Sequence, residues 1–141
     1  MIQWLYRLAD PVRSRARRKT WPADQALGRD GEDAAHRYLR SQGFTIIARN
    51  HRTRGGSAEV DLIAWEGDTL VFVEVKSRAT ADYGPPDRAI GVEKRRKIIF
   101  GALDYLRRMP NRAERIRFDI VNVVFQPPPA ITHLRDAFRP E

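Results

Sequence analysis

Ala58-Glu-Val-Asp-Leu-Ile-Ala-Trp-Glu-Gly-Asp-Thr-Leu-Val-Phe-Val-Glu-Val-Lys-Ser-Arg78 decides the fold. Two runs rich in Val, Ile, Leu and Phe flank Gly67-Asp68 and read as strands joined by a tight turn. With Gly67-Asp68 as a two-residue loop, Glu66 pairs with Thr69, and the register follows along both strands. A four-residue loop on the same centre gives the same register. Asp61 then opposes Glu74, and Glu59 opposes Lys76. Side chains alternate faces, so Glu59, Asp61, Glu74 and Lys76 share one face. Val60, Leu62, Ala64, Val71, Val73 and Val75 share the other. Opposed residues have Cβ atoms roughly 4.5–5.5 Å apart, where like charges repel. Asp61 and Glu74 therefore need a compensating charge. A divalent cation supplies one, since Mg²⁺ is held by one or two carboxylates with water and phosphate completing its shell.

Glu59-Val-Asp61, twelve further residues, and Glu74-Val-Lys76 have the spacing of the Asp…Glu-x-Lys nuclease motif. The chain resembles the YraN-like family of small bacterial proteins. That family is assigned to the restriction-endonuclease-like superfamily, which includes archaeal-type Holliday junction resolvases. The likeness runs over about residues 25–138. It takes in Gly31-Glu32, Ala35, Tyr38-Leu39, Gly43-Phe44, Arg49-Asn50, Phe72-Val-Glu-Val-Lys-Ser-Arg78, Lys94, Lys97, Arg117-Phe-Asp-Ile120 and Asp136-Ala-Phe138. Ala58 departs from the Gly that the family usually places before its Glu. The resemblance implies an α/β fold with a restriction-endonuclease-like αβββαβ core, a mixed central sheet flanked by helices. It also implies metal-dependent hydrolysis of phosphodiester bonds. In that chemistry Asp61 and Glu74 hold Mg²⁺ or Mn²⁺, and the Val75 carbonyl adds a ligand. Lys76 positions water or stabilises developing negative charge. Glu32 reaches toward the metal or its water. Glu59 either tunes Lys76 or is plainly ion-paired with it.

The remaining sequence supports an acidic partner. The 141 residues carry a net charge of +8, which favours nucleic acid first and anionic membrane second. Six basic residues against Asp10 give residues 1–20 a net of +5, so the folded part is only mildly basic. Residues 1–22 read as a basic arm outside the core, a loosely docked tail or a phosphate-binding segment. Residues 23–141 read as one nuclease-like domain. There is no cysteine, which removes disulfides and thiolate zinc sites and suits a reducing cytoplasm. No segment has the length and apolarity of a bilayer span. His36, His51 and His133 are scattered, so a histidine zinc site is not expected.

In chain order, Asp24 caps a helix over 24–42 with a buried stripe of Leu27, Gly31, Ala34, Ala35, Tyr38 and Leu39. Gly28 and Gly31 suit a close approach to the sheet. Phe44–Arg49 is a strand, and Asn50–Ser57 a polar loop carrying Arg52 and Arg54. A second helix over 90–109 packs through Ile99, Ala102, Leu103 and Leu106, with Lys94, Lys97, Gly101 and Arg108 opposite. Residues 115–125 form a strand in which Asp119 is structural, pairing with an arginine. Beyond Pro127-Pro128-Pro129, Ile131, Leu134 and Phe138 suit a short docked turn or an extended segment.

Phosphate contacts are expected from Arg52, Arg54, Arg78, Lys94 and Lys97. Such contacts position a nucleic acid without reading its bases, so selection by structure is expected, with DNA favoured. A homodimer is the expectation if the substrate is a junction. The competing reading is a non-catalytic nucleic-acid-binding or scaffold module on the same fold. A damaged Asp…Glu-x-Lys motif would favour it, and all three residues are intact.

Overall fold

A computed structural model describes residues 23–82 and 90–141, and the backbone of residues 2–5. The expectations for the rest of the arm fall outside these residues, as does the Tyr83-Gly84-Pro85-Pro86 segment. The central hairpin forms as its sequence dictates. Strand β3 (Glu59–Glu66) and strand β4 (Thr69–Arg78) turn through Gly67 at φ 58°. They pair in the expected register from Glu66–Thr69 to Leu62–Val73. On one side, β2 (Thr45–Arg52) pairs antiparallel with β3. On the other, β5 (Arg115–Val124) runs parallel to β4, and β6 (Ala130–Phe138) returns antiparallel to β5. Strand β1 (Ile2–Leu5) pairs with β6 at the far edge. The sheet order is β1-β6-β5-β4-β3-β2. The fold is thus a mixed α/β architecture with an αβββαβ core.

Two expectations change, and a third is decided between its alternatives. Residues 2–5 join the sheet, although the whole of 1–22 was expected outside it. The polar stretch after Arg49 continues as strand to Arg52, leaving a tight turn over residues 53–58. Of the two readings for the segment after the prolines, the extended one holds and the docked turn does not: it is a full strand, with Ile131 and Leu134 against β5.

Helix α1 (Ala23–Ser41) covers one sheet face. Ala34, Ala35, Tyr38 and Leu39 pack on Leu62, Ala64, Val71, Val73, Val121 and Val123. Gly43 at φ 91° ends the turn beyond it. Gly31 is where α1 meets the sheet: a Cβ there would lie 1.6 Å from Ser77 Oγ and 2.8 Å from Ser77 Cβ. Gly28 makes no such approach. The Oγ can rotate away but the Ser77 Cβ cannot. Gly31→Val should therefore push α1 off β4 and cost roughly 1–3 kcal/mol, read by urea unfolding. A loss under about 0.5 kcal/mol would refute the close contact.

Helix α2 (Val92–Arg108) covers the other face, where Ile98 and Ala102 pack on Ile63, Leu70, Phe72, Phe118 and Ile120. Ile99, Ala102 and Leu106 of the expected stripe pack on this face, but Leu103 does not, and Gly101 takes its side inward. Gly101 faces β3, and a Cβ there would lie 3.0 Å from Val60 Cγ2. Leu103 is 50% exposed. The small Gly101-Ala102 pair lets the helix lie close, so that side turns inward, and Lys94 turns with it. His51 Nε2 on β2 bonds Asp104 Oδ2 at 2.9 Å and fixes this rotation.

Candidate functional site

Strand β3 changes face at Asp61. Val60 packs in the α2 cluster with Ile63, whereas Leu62 packs in the α1 cluster. Strict alternation would have kept Val60 with Leu62. The irregularity has a partner across the ladder. Arg49–Leu62 and His51–Val60 pair on either side of Asn50, which has φ 50° and forms no ladder pair with Asp61. Asparagine tolerates that left-handed backbone better than most residues.

The β3–β4 ladder also ends here, at Leu62–Val73. An unbroken ladder would bring Val60 to Val75. Instead Val75 N–H donates to Asp61 Oδ2 at 2.8 Å. The Asp61 side chain thus stands in for a strand carbonyl and holds the frayed end together.

Glu74 is 7% exposed. Its Oε1 lies 3.4 Å from Lys94 Nζ at the start of α2, and its Oε2 is buried with no hydrogen-bond partner. The Asp61 and Glu74 carboxyls lie within interaction range of each other. Burial, and then the neighbouring Glu74 charge, push Asp61 up to about 8. Burial also raises Glu74, against the pull of Lys94, Asp61 and Lys76. The pair therefore holds a proton into the neutral range, as two buried acids sharing one space do.

Glu32 on α1 faces the same end of the sheet. Burial and the charge of Asp61 push its carboxyl up, while the Asn50 side chain, Arg29 and Arg49 pull it down. Arg29 lies 3.2 Å from Glu32, and Arg49 lies 3.7 Å away. Lys76 is near enough to act on Glu74. Glu59 pairs with Arg52, Nε to Oε2 3.5 Å, across β2–β3. The expected cross-strand pairing of Glu59 with Lys76 lies beyond the last β3–β4 ladder pair. Arg54 and Lys97 are exposed and make no ion pair among the described residues. Arg78 is half-buried at the end of β4.

Two residues at this end of the sheet had no role assigned from the sequence. Asn50 bonds Glu32 and marks the break in β2. Asn122 is 3% exposed, and its side-chain oxygen and nitrogen have no hydrogen-bond partner. It pairs in register with Lys76, which puts both side chains on one face of the parallel pair. A lone amide within Ile120-Val-Asn-Val-Val124 was the available signal. Among the described residues, no group of three or more His, Cys, Asp or Glu side chains could hold a metal. A cation here would rest on the two carboxylates, backbone oxygen and outside ligands. That suits Mg²⁺, which needs only one or two carboxylates from the protein. The partnerless Glu74 Oε2 is compatible with such a ligand.

Fold and site together define a mixed α/β domain with two buried acids at the frayed end of a hairpin and a lysine-bearing helix start above them. The chain belongs to Uncharacterised protein family UPF0102, the YraN-like family, whose profile matches residues 31–123. A UPF0102 protein of Solibacter usitatus is 51% identical over 138 residues, 98% of this chain and all of that one. One from Rhodococcus opacus is 50% identical over 80% of this chain and 96% of its own. One from Geobacter sulfurreducens is 44% identical over 82% and 90%, respectively. No helix among the described residues is long and apolar enough to cross a membrane.

Proposed function

We propose that this protein is a metal-dependent nuclease of the restriction-endonuclease-like superfamily. It would hydrolyse nucleic-acid phosphodiester bonds, with DNA favoured and structure rather than sequence selected. The observation that carries this reading is the Asp61–Glu74 pair, two acids kept together at an energetic cost. A structural role alone does not account for that cost, since apolar residues would fill the space without it. Mg²⁺ or Mn²⁺ on Asp61, Glu74 and the Val75 carbonyl would polarise a phosphoryl oxygen and acidify a bound water.

The chain's own groups do the rest. Asp61, anchored by Val75 N–H, and Glu74, held in the β4 strand, set the acids in fixed positions. Lys76, on the Glu74 face, would stabilise negative charge developing on the phosphate. Lys94 and Arg78, with Arg52, Arg54 and Lys97 toward the rim, would hold flanking phosphates. Phosphate contacts of this kind position a nucleic acid without reading its bases, which favours selection by shape.

The test is cleavage of labelled single-stranded, duplex, flap and four-way-junction DNA, and of matched RNA, in Mg²⁺, Mn²⁺ or chelator. Cation-dependent cutting of at least one DNA is expected. A preference for junctions should come with a dimer in solution. No cutting of any substrate in either cation would overturn the proposal.

A further inference from the structure

The Glu74–Lys94 contact joins two unequal partners. Glu74 is 7% exposed and fixed in a central strand. The Lys94 side chain is 52% exposed and sits in the first turn of α2, with Nζ 3.4 Å from Glu74 Oε1. A long, half-exposed lysine keeps much of its hydration and can swing away, provided another cation replaces it so that no buried charge is stranded. The buried acid cannot follow. The ammonium therefore occupies the place where a second cation would want to be.

We propose that Lys94 is a built-in counter-ion that a divalent cation displaces from Glu74, and that the released ammonium then takes a substrate phosphate. This rests on the reading of Asp61 and Glu74 as the cation pair. Two positive charges cannot share Glu74 without repulsion, so the lysine lowers the affinity of the free protein for metal. A phosphate offers the displaced ammonium a new partner and removes that penalty. Metal and nucleic acid then each favour the other's binding, as linkage requires.

The test titrates Mn²⁺ into the full chain at constant pH. It compares wild type, Lys94→Met, Lys94→Arg, Arg96→Met and Asp61→Asn, each checked for folding by circular dichroism. Lys94→Met should bind Mn²⁺ about three- to tenfold more tightly than wild type. Lys94→Arg, which keeps the charge, should stay near wild type. Arg96→Met removes one exposed charge from the same helix and should change affinity less than about twofold.

A second arm measures binding of a labelled DNA duplex. In chelator, where Lys94 is engaged with Glu74, Lys94→Met should matter little. In Ca²⁺, another oxygen-seeking cation, the same variant should weaken DNA binding by about threefold or more.

Mn²⁺ affinity in Lys94→Met equal to or below that of wild type would overturn the inference, even if Asp61→Asn abolishes binding and so supports the cation pair. Equal Mn²⁺ binding in wild type and Asp61→Asn would overturn the cation pair, and the role of Lys94 with it.

Discussion

Asp61→Asn and Glu74→Gln are each expected to lower cation-dependent cleavage at least about a hundredfold under single-turnover conditions, an effect of about 3 kcal/mol on the barrier. Each substitution keeps the shape of the side chain and removes its charge. In Asp61→Asn the side-chain amide oxygen could still accept the Val75 N–H that the Asp61 carboxylate now takes at 2.8 Å. The frayed end of the hairpin should therefore survive, and a lost rate would report lost chemistry. Glu74→Gln leaves Lys94 without its acid, so it should also weaken metal-independent order at the start of α2. Rates within about threefold of wild type in both variants would remove these acids from the reaction.

The second large effect lies away from this pair, near the β5–β6 bulge. Asp119 is fully buried. Arg117 donates to it through Nε and Nη2 at 2.7 and 2.8 Å, His133 Nε2 lies 2.8 Å away, and Asp136 N–H donates at 3.0 Å. Tyr38 of α1 meets the far nitrogen of His133 at 3.2 Å. Burial alone would raise the Asp119 carboxyl, but Arg117, His133 and the Asp136 amide outweigh it and hold it below the ordinary range. The β5–β6 register jumps between Phe118 and Ile120, and Asp136 takes φ 51°, which brings its amide to this acid. Asp119→Ala would strand the buried His133 and leave the half-buried Arg117 with Glu66 alone, 2.8 Å away. It should cost about 3–5 kcal/mol of stability by urea unfolding. A loss below about 1 kcal/mol would mean that the network is not needed.

The sequence made the hairpin legible because both signals in it were local. Gly67-Asp68 fixed the loop, and the loop fixed the register from Glu66–Thr69 to Leu62–Val73. Asp119 was legible for a similar reason: an acid inside an apolar strand, two residues from Arg117, has an obvious partner. What failed depended on contacts between distant elements. Strict alternation placed Val60 with Leu62, but opposite Asp61 the β2–β3 ladder skips the left-handed Asn50, and the face changes there. The α2 face holds at Ile99, Ala102 and Leu106 but differs at its edge, where hydrophobicity pointed to Leu103. Close approach instead selected Gly101, and the Asp104–His51 bond locked that choice. The same rotation explains why Lys94, expected on an outer stripe, meets Glu74. The pairing of Arg52 with Glu59 was missed because β2 runs on past Asn50 to reach it.

The most direct measurement of the central claim is the thermal stability of wild type and Asp61→Asn across pH, with and without Mn²⁺. An unfolded Asp61 ionises near its ordinary 3.8, whereas the folded one holds its proton to about 8. Below about pH 4 both states are protonated and Asp61 contributes nothing to the difference. Between about pH 4 and 8 the unfolded chain loses a proton that the fold retains, so wild-type stability should fall as pH rises and then level off. The Asp61→Asn side chain cannot ionise, so without metal at pH 8 the variant should be more stable than wild type by an amount on the order of 5 kcal/mol. Mn²⁺ should raise the wild-type Tm and leave the variant unmoved. A variant less stable than wild type at pH 8 without metal, together with equal responses of both proteins to Mn²⁺, would contradict the account.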